Sequence, residues 1–328
     1  MGRTYNWAVL GCGKIARKFS QDLKLLPNAR LYAAASRDYG KAALFAGELG
    51  FEKAVGSYAE MVADPSVDVV YVATPHSFHR DHVMLCLKAG KAVLNEKAFA
   101  LTLREAREMV ETARGKRLFL MEAFWTRFQP SFCKALEIVR SGELGALKMV
   151  RSDFAFNGPK EPLNRLYNLS LGGGSLLDIG IYPVFAALSA LGAPARIKAL
   201  ASFAATGAEE SIAIAFQYPG GELASLYSSF AAHSFVTTEY ACEHGSVRME
   251  RRWIAPTTVH VWHTGGKEET YRFESPGMGY QYEAAHVMEC LDAGKTESDL
   301  LPLDFSLMLM ETLDRIRAEA EIRFPGRE

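Results

Sequence analysis

Apolar positions along this chain follow two different periods. Up to residue 121, short apolar runs alternate with longer stretches in which apolar residues recur every three or four positions. Residues 7–10 read as a strand, followed by a glycine-rich turn and a helix to about residue 26. Residues 30–36 read as a second strand, and 41–49 as an alanine-rich helix. The run VDVVYVA at 67–73 suits a strand buried on both faces. A helix over about 78–89 and a strand at 91–95 follow. Thr102, with Glu105 three residues on, opens another helix with capping-box spacing, and 117–121 reads as a further strand. Strands separated by crossover-length helices predict a parallel, doubly wound sheet.

After about residue 125 the pattern changes. A helix is predicted over 130–140 and a strand over 147–156. Gly172, Gly173 and Gly174 then precede a helix over 175–190. Residues 195–274 carry β-rich segments, among them SIAIAFQY, ELASLYSSF and TTVHVWH, separated by Gly and Pro turns. This predicts a large antiparallel or mixed sheet. Helices at about 279–292 and 303–322 close the chain.

Composition narrows the class. A length of 328 residues is near twice the usual domain size, and 49% hydrophobic content supplies two cores. The 37 basic and 38 acidic residues give a net charge of −1, so there is no electrostatic footprint for nucleic acid and no basic cluster for a membrane surface. No apolar run reaches the ~18 residues of a membrane span. The five cysteines are scattered without a Cys-x-x-Cys pair, which argues against a disulfide framework or a structural zinc and for reduced thiols in the cytoplasm. The opening residues run straight into an apolar strand, leaving no room for a signal peptide. Met1-Gly2 lacks the hydroxyl that myristoylation expects at the sixth position, where Asn6 stands.

The strongest local signal is Gly11-Cys12-Gly13-Lys14-Ile15-Ala16, between the first strand and the first helix. Its form, G-x-G-x-x-A, is the dinucleotide fingerprint of the Rossmann fold. Gly11 permits the tight turn, Gly13 lets backbone amides approach the pyrophosphate, and Ala16 lets the helix pack close to the sheet. The helix N-terminus offers amide donors and partial positive charge to the phosphates. At the end of the second strand an NAD enzyme usually places an acidic residue on the ribose. Here the chain reads Ser36-Arg37-Asp38. Arg37 suits a 2′-phosphate and Ser36 adds a hydroxyl, which favours NADP over NAD. The competing arrangement is a solvated Arg37 with Asp38 turned onto the ribose.

With these motifs in place, the chain resembles the Gfo/Idh/MocA oxidoreductases. The resemblance rests on GCGKIA at 11–16, Ser36-Arg37-Asp38, Thr74-Pro75-His76 with His79, Asn95-Glu96-Lys97, EAFWTRF at 122–128 and GGGSLLDIGIY at 172–182. It spans most of the chain. It implies a Rossmann domain over 1–123 and, over 124–328, an α+β substrate-binding and dimerisation domain built on a large, mostly antiparallel open sheet. The terminal helix is left able to pack back on the first domain. A homodimer through the second sheet is implied by the same analogy.

The resemblance also implies a catalytic set. Lys97 closes the family's Glu-Lys-Pro tripeptide, and Asp178 and Tyr182 form its Asp-x-x-x-Tyr element. Oxidising a hydroxyl by hydride transfer requires removal of the hydroxyl proton. Tyr182 is expected as the general acid/base, Lys97 as its electrostatic partner and a substrate donor, and Asp178 as an orienting group; Lys97 as the base itself stays open. Asp178 and Tyr182 are four apart on a predicted helix and so share a face. Thr74, Pro75, His76, His79 and Glu96 are placed with the cofactor, and Trp125, Arg127, Phe154 and Asn168 with the substrate. His76, His79 and His82 have metal-like spacing, but a helical turn with a packed histidine is the expectation, and no metal is expected. One departure is Ala98 in place of the family proline. It requires either a rare non-proline cis peptide or a trans bond that aims Lys97 differently. The expected activity is NADP(H)-linked hydride transfer to or from a polyhydroxylated small molecule, an aldose or a vicinal diol. The alternatives are a reductase of another small carbonyl or anhydro-sugar, or a non-catalytic NADP-binding sensor.

Overall fold

The computed structural model describes residues 3–326; Met1 and Gly2, weighed above for acylation, lie outside the described residues. The chain forms two units. One runs up to Trp125 and takes in Ser275–Leu307, and the other comprises Thr126–Glu274 with the chain from Met308 onward.

The first unit begins β1 (Tyr5–Leu10), α1 (Lys14–Leu23), β2 (Ala29–Ala35), α2 (Tyr39–Leu49), β3 (Lys53–Val55), α3 (Tyr58–Ala63) and β4 (Val69–Val72). It continues with α4 (His79–Lys88), β5 (Ala92–Glu96), α5 (Leu103–Lys116) and β6 (Leu120–Ala123). The six strands lie in the order β3-β2-β1-β4-β5-β6, and every neighbouring pair is parallel. The order reverses between β1 and β4, the point where a crevice opens beyond the carboxyl ends of the strands. All four residues of β4 are buried, as its unbroken apolar run requires.

The sequence pattern missed β3 and α3, a three-residue edge strand and a six-residue helix too short to show a period. It carried α1 three residues too far, because Pro27 ends the helix at its third turn. β6 starts later than expected, since Arg117 takes a left-handed conformation (φ 54°) to close α5. Thr102 caps α5 as its spacing implied, accepting from the Glu105 amide at 3.3 Å.

The second unit contains α6 (Pro130–Ser141), β7 (Leu147–Ala155), α7 (Ile181–Leu191), β8 (Arg196–Phe203), β9 (Glu209–Gln217) and β10 (Leu223–Ser229). β11 (Thr238–Cys242), β12 (Gly245–Met249), β13 (Thr258–His263) and β14 (Glu268–Arg272) complete its sheet. The eight strands run in the order β14-β13-β12-β11-β7-β10-β9-β8. All neighbours are antiparallel except β7 and β10. Alternation along β9 is clean: Ile212, Ile214 and Phe216 point inward, while Ala213, Ala215 and Gln217 are exposed on the open face. α8 (Tyr280–Asp292) belongs to the first unit, and α9 (Leu303–Glu319) gives its residues up to Leu307 to the first and the rest to the second.

Two expectations about the helix over 175–190 change. It opens with a π turn at Leu176–Gly180 before becoming α-helical. Pro183 has no N–H to give Ile179, and its ring crowds that carbonyl, so a tight α turn is disfavoured there. The stretch Leu169–Leu191 is also long and apolar enough, by length and composition, to cross a membrane, yet 89% of its test window is buried inside the structure. It is a core helix.

Candidate active site

In the first unit, four turns follow the carboxyl ends of β1, β2, β4 and β5, whose registers place Leu10 beside Ala35 and Val72, and Val72 beside Asn95. Gly11 has φ 102°, and a Cβ there would stand 2.9 Å from Thr74 Cγ2 and 3.0 Å from Ala73 O. Only glycine fits this approach. Gly13 is the N-cap of α1 and provides no side-chain cap, so the first-turn amides carry no side-chain acceptor. Ala16 is fully buried against the sheet. These features fit a dinucleotide: a turn that a Cβ would fill, and an uncapped helix N-terminus facing the crevice edge. Gly11, Gly13, Lys14 and Ile15 offer backbone. The Cys12 thiol turns away, 3.5 Å from Ala35 O, and burial pushes it up to about 11.

Beyond β2, Ser36 is buried and its Oγ accepts from the Asp38 amide at 3.2 Å. Asp38 in turn caps α2, accepting from the Lys41 amide at 3.2 Å. The Arg37 guanidinium is exposed and lies 5.5 Å from the centroid of the Phe78 ring.

Beyond β4, Thr74 Oγ1 lies 3.0 Å from His82 Nδ1. His76 opens a 3₁₀ turn, His76–Phe78, that leads into α4, and is packed edge-on to His79 with ring centroids 5.6 Å apart. His79 is fully buried, with Nε2 2.7 Å from Thr74 O and Nδ1 2.8 Å from Ala98 O. Burial holds its imidazole down at about 4, so the neutral ring has one N–H to share between two carbonyls. Both ring nitrogens of His79 face backbone, and the residue joins the Thr74 and Ala98 turns.

Beyond β5, the Lys97–Ala98 peptide is cis, the first of the two arrangements that Ala98 allowed. Buried side chains hold this segment from several sides. Asn95 Nδ2 donates to Glu96 O at 3.1 Å and Phe99 O at 2.8 Å. The Tyr71 hydroxyl donates to Glu96. Glu122 accepts from the Phe99 amide at 3.1 Å and from Ser306 Oγ at 2.7 Å. Burial lifts Glu122 to about 7. Trp125 stacks on Tyr280 at 4.4 Å.

Sequence reasoning missed Asp22. Buried at the end of α1, it accepts from the amides of Met278, Gly279 and Tyr280 at 3.0, 2.8 and 2.8 Å and so caps the start of α8. Nothing in its local sequence marks that partner, 256 or more residues away.

In the second unit the glycines at 172–174 have a packing reason. A Cβ on Gly173 would meet the backbone of Asn168 at 2.8 Å, and one on Gly180 would meet Ser228 Oγ at 2.6 Å. Glu209 is buried and ties down the start of the π turn: Ser175 Oγ donates to it, and the Leu176 amide lies 3.1 Å from both carboxylate oxygens. Burial lifts it to about 7. This residue was also missed, being an ordinary polar position in a strand pattern.

Asp178 projects from the π turn and takes a two-pronged contact from Arg165, at 3.1 and 3.2 Å. Tyr182 is buried in the first turn of α7, its ring 5.7 Å from Phe154. The π turn means that the face shared by Asp178 and Tyr182 is set by a wider helix than the sequence implied. Arg127 Nη1 lies 3.5 Å from Cys133 Sγ. Asn168 uses its side-chain oxygen locally, accepting from the Ser170 amide at 3.0 Å and hydroxyl at 2.7 Å, so that oxygen is a turn cap rather than a substrate contact.

The parallel fold with this turn defines a nucleotide-binding oxidoreductase. Residues 5–124 match the family model described as oxidoreductase family, NAD-binding Rossmann fold, and residues 132–248 match that of the GFO/IDH/MocA C-terminal domain. The chain belongs to the Gfo/Idh/MocA family. It is 37% identical over 333 residues to trans-1,2-dihydrobenzene-1,2-diol dehydrogenase of Mus musculus, covering 97% of this chain and 98% of the relative. Among solved structures it is similar to aldose-aldose oxidoreductase of Caulobacter crescentus, with TM-score 0.89, 26% identity and coverage of 97% and 98%. A 3-ketoreductase of Actinomadura kijaniata, solved with NADP, shares the fold at TM-score 0.88 and 24% identity, with the same coverage.

Proposed function

We propose that the chain is an NADP(H)-dependent dehydrogenase of an aldose or a vicinal diol. The observation that carries the cofactor choice is the turn after β2. One carboxylate oxygen of Asp38 caps α2, while Arg37 stands exposed beside it with a guanidinium free to fork onto a phosphate, which favours a 2′-phosphate over a bare ribose. The substrate class is supported by similarity to a diol dehydrogenase over nearly the whole chain and by the likeness to an aldose-aldose oxidoreductase.

The bound cofactor would supply a hydride acceptor at its nicotinamide. The chain supplies the rest. The amides of the 11–16 turn and of the first turn of α1 hold the pyrophosphate, and Ser36 and Arg37 hold the 2′-phosphate. Thr74, Pro75 and His76 border the nicotinamide side, with His79 and Glu96 supporting them from within. Tyr182 Oη takes the hydroxyl proton as the carbonyl forms. Lys97 Nζ donates to the substrate and supplies positive charge to the developing alkoxide. Asp178, aligned by Arg165, orients the substrate. Trp125, Arg127 and Phe154 are assigned to substrate contact.

The open face of the eight-stranded sheet carries Leu200, Leu223 and Trp262 at 82%, 45% and 46% exposure among charged residues such as Lys198, Arg151, Glu239 and Arg248, and we propose it as the face that meets a second copy of the chain. Five free thiols support a reducing compartment, the cytoplasm.

The test is NADP⁺ reduction with a panel of aldoses and trans-dihydrodiols, in wild type and in Tyr182→Phe. Turnover with NADP⁺, little with NAD⁺ and a loss of about 10²- to 10⁴-fold in the variant is expected. Turnover that survives Tyr182→Phe but not Lys97→Met makes Lys97 the proton carrier. Tight NADPH binding without turnover on any substrate rejects the enzyme reading.

A further inference from the structure

One side-chain cluster lies outside everything described above. His286 and Cys290 are four apart on α8 and project from one face. The chain then turns back, bringing Ser298 and Asp299 against that face. Around His286 Nε2 stand Ser298 Oγ at 2.7 Å, Cys290 Sγ at 3.3 Å and Asp299 Oδ1 at 3.6 Å. The imidazole nitrogen, thiol sulfur and carboxylate oxygen all lie within 4.8 Å of one another. Ligand atoms around a tetrahedral zinc stand about 3.3–3.8 Å apart, given bonds of about 2.0–2.3 Å. The Nε2–Sγ and Nε2–Oδ1 separations fall in that range, and an ion binding there would replace the hydrogen bond between Ser298 Oγ and Nε2.

Further groups stand behind these three. His286 Nδ1 lies 3.8 Å from the exposed Glu289 Oε2, an ion-pair distance on the side away from the cluster. Lys295 Nζ holds the other oxygen of Asp299, Oδ2, at 3.0 Å, leaving Oδ1 toward the cluster. The Asp299 amide donates to the Cys290 thiol. His286 and Cys290 are buried and Asp299 is exposed, so an ion has a way in. The other converging group, Glu143, His263 and Glu269, lacks a thiol. Its Glu269 Oε1, the oxygen facing His263, is already taken by Lys267 at 2.8 Å.

We propose that His286, Cys290 and Asp299 bind a divalent cation of zinc type, through one nitrogen, one sulfur and one oxygen, with the fourth position open to water. The mixed donor set and tetrahedral spacing select Zn²⁺ over the oxygen-seeking Mg²⁺ and Ca²⁺. Binding forms the Zn–S bond and releases the Cys290 thiol proton to solvent. The ion ties the 295–299 return to α8. The site is independent of the proposed dehydrogenase activity.

The test uses the full chain, stripped with a chelator and titrated with Co²⁺, then displaced with Zn²⁺. Expected are one equivalent bound, a sulfur-to-cobalt charge-transfer band and tetrahedral visible bands, all lost on Zn²⁺ addition. Cys290→Ser removes the charge-transfer band and leaves turnover unchanged. A wild type without the charge-transfer band, or a band that survives Cys290→Ser, overturns the proposal. If Cys290→Ser does not fold, the exposed Asp299→Asn decides: weaker binding with the band intact supports the site, and unchanged affinity rejects it.

Discussion

The turn after β1 and the turn into α7 present chemistry with different materials. At Gly11–Gly13 the presenting groups are backbone amides. The one side chain between the glycines, Cys12, faces inward. At Leu176–Tyr182 the groups we propose for the chemistry are side chains, Asp178 and Tyr182, and the glycines there let neighbouring strands and loops come close. Each unit also holds a fully buried glutamate that accepts from a backbone amide. Glu122 steadies the segment after Lys97, and Glu209 steadies the start of the π turn. A backbone-built site depends on conformation and is indifferent to side-chain identity; a side-chain-built site is the reverse.

The largest expected effect tests what the two glutamates share. Burial keeps both protonated up to about 7, against an ordinary 4.5. Between those values the folded chain keeps protons that the unfolded chain has released. Their contribution is thus fully present below about 4.5 and is lost as pH rises through about 7. At about 1.4 kcal/mol per pH unit, the gap amounts to roughly 3 kcal/mol for each group. Urea unfolding at pH 5 and pH 8 should show Glu122→Gln and Glu209→Gln each losing that much of the wild-type difference. An unchanged pH slope in either variant would mean that its carboxyl is ionised in the fold.

Next, Gly11→Ala should weaken cofactor binding about 10- to 100-fold, through a positive φ and two close contacts worth about 1–3 kcal/mol. Cys12→Ala should stay within about twofold. Equal losses measured by fluorescence titration of NADPH would break the contrast between backbone and side chain. Arg37→Ala should raise the KM for NADP⁺ about 10-fold and leave that for NAD⁺ unchanged. A parallel rise for both would return Asp38 to the ribose. The smallest effect belongs to Arg165→Met. The pair with Asp178 is half exposed on the arginine side, so kcat/KM should fall only a few-fold, in line with about 1 kcal/mol.

Much of the first unit was legible because its signals are local. G-x-G-x-x-A contains its own reason for every glycine, and VDVVYVA announces a strand covered on both faces. The elements that escaped, β3 and α3, are shorter than the period needed to see them. In the second unit the β-rich composition was readable, but the strand order was not. The parallel pairing of β7 with β10 joins residues such as Met149 and Leu223, more than 70 positions apart, and no local pattern encodes it. The roles expected of Lys97, Asp178 and Tyr182 came from resemblance to a family rather than from periodicity or spacing.

The sequence alone determined the class of fold, the dinucleotide turn and the choice offered at Ser36-Arg37-Asp38, because each depends on residues within a few positions of one another. Only the tertiary structure decided which side chains serve those segments. It turned His79 onto two carbonyls, used one oxygen of Asp38 as a helix cap, sent Asp22 to the start of α8 and set Glu122 against the segment after Lys97 and Glu209 at the start of the π turn. It also gathered His286, Cys290 and Asp299 around one point. The physical reason is common to all of them. A buried polar group must find its partner wherever packing brings one, and that partner's place in the chain carries no mark of the pairing.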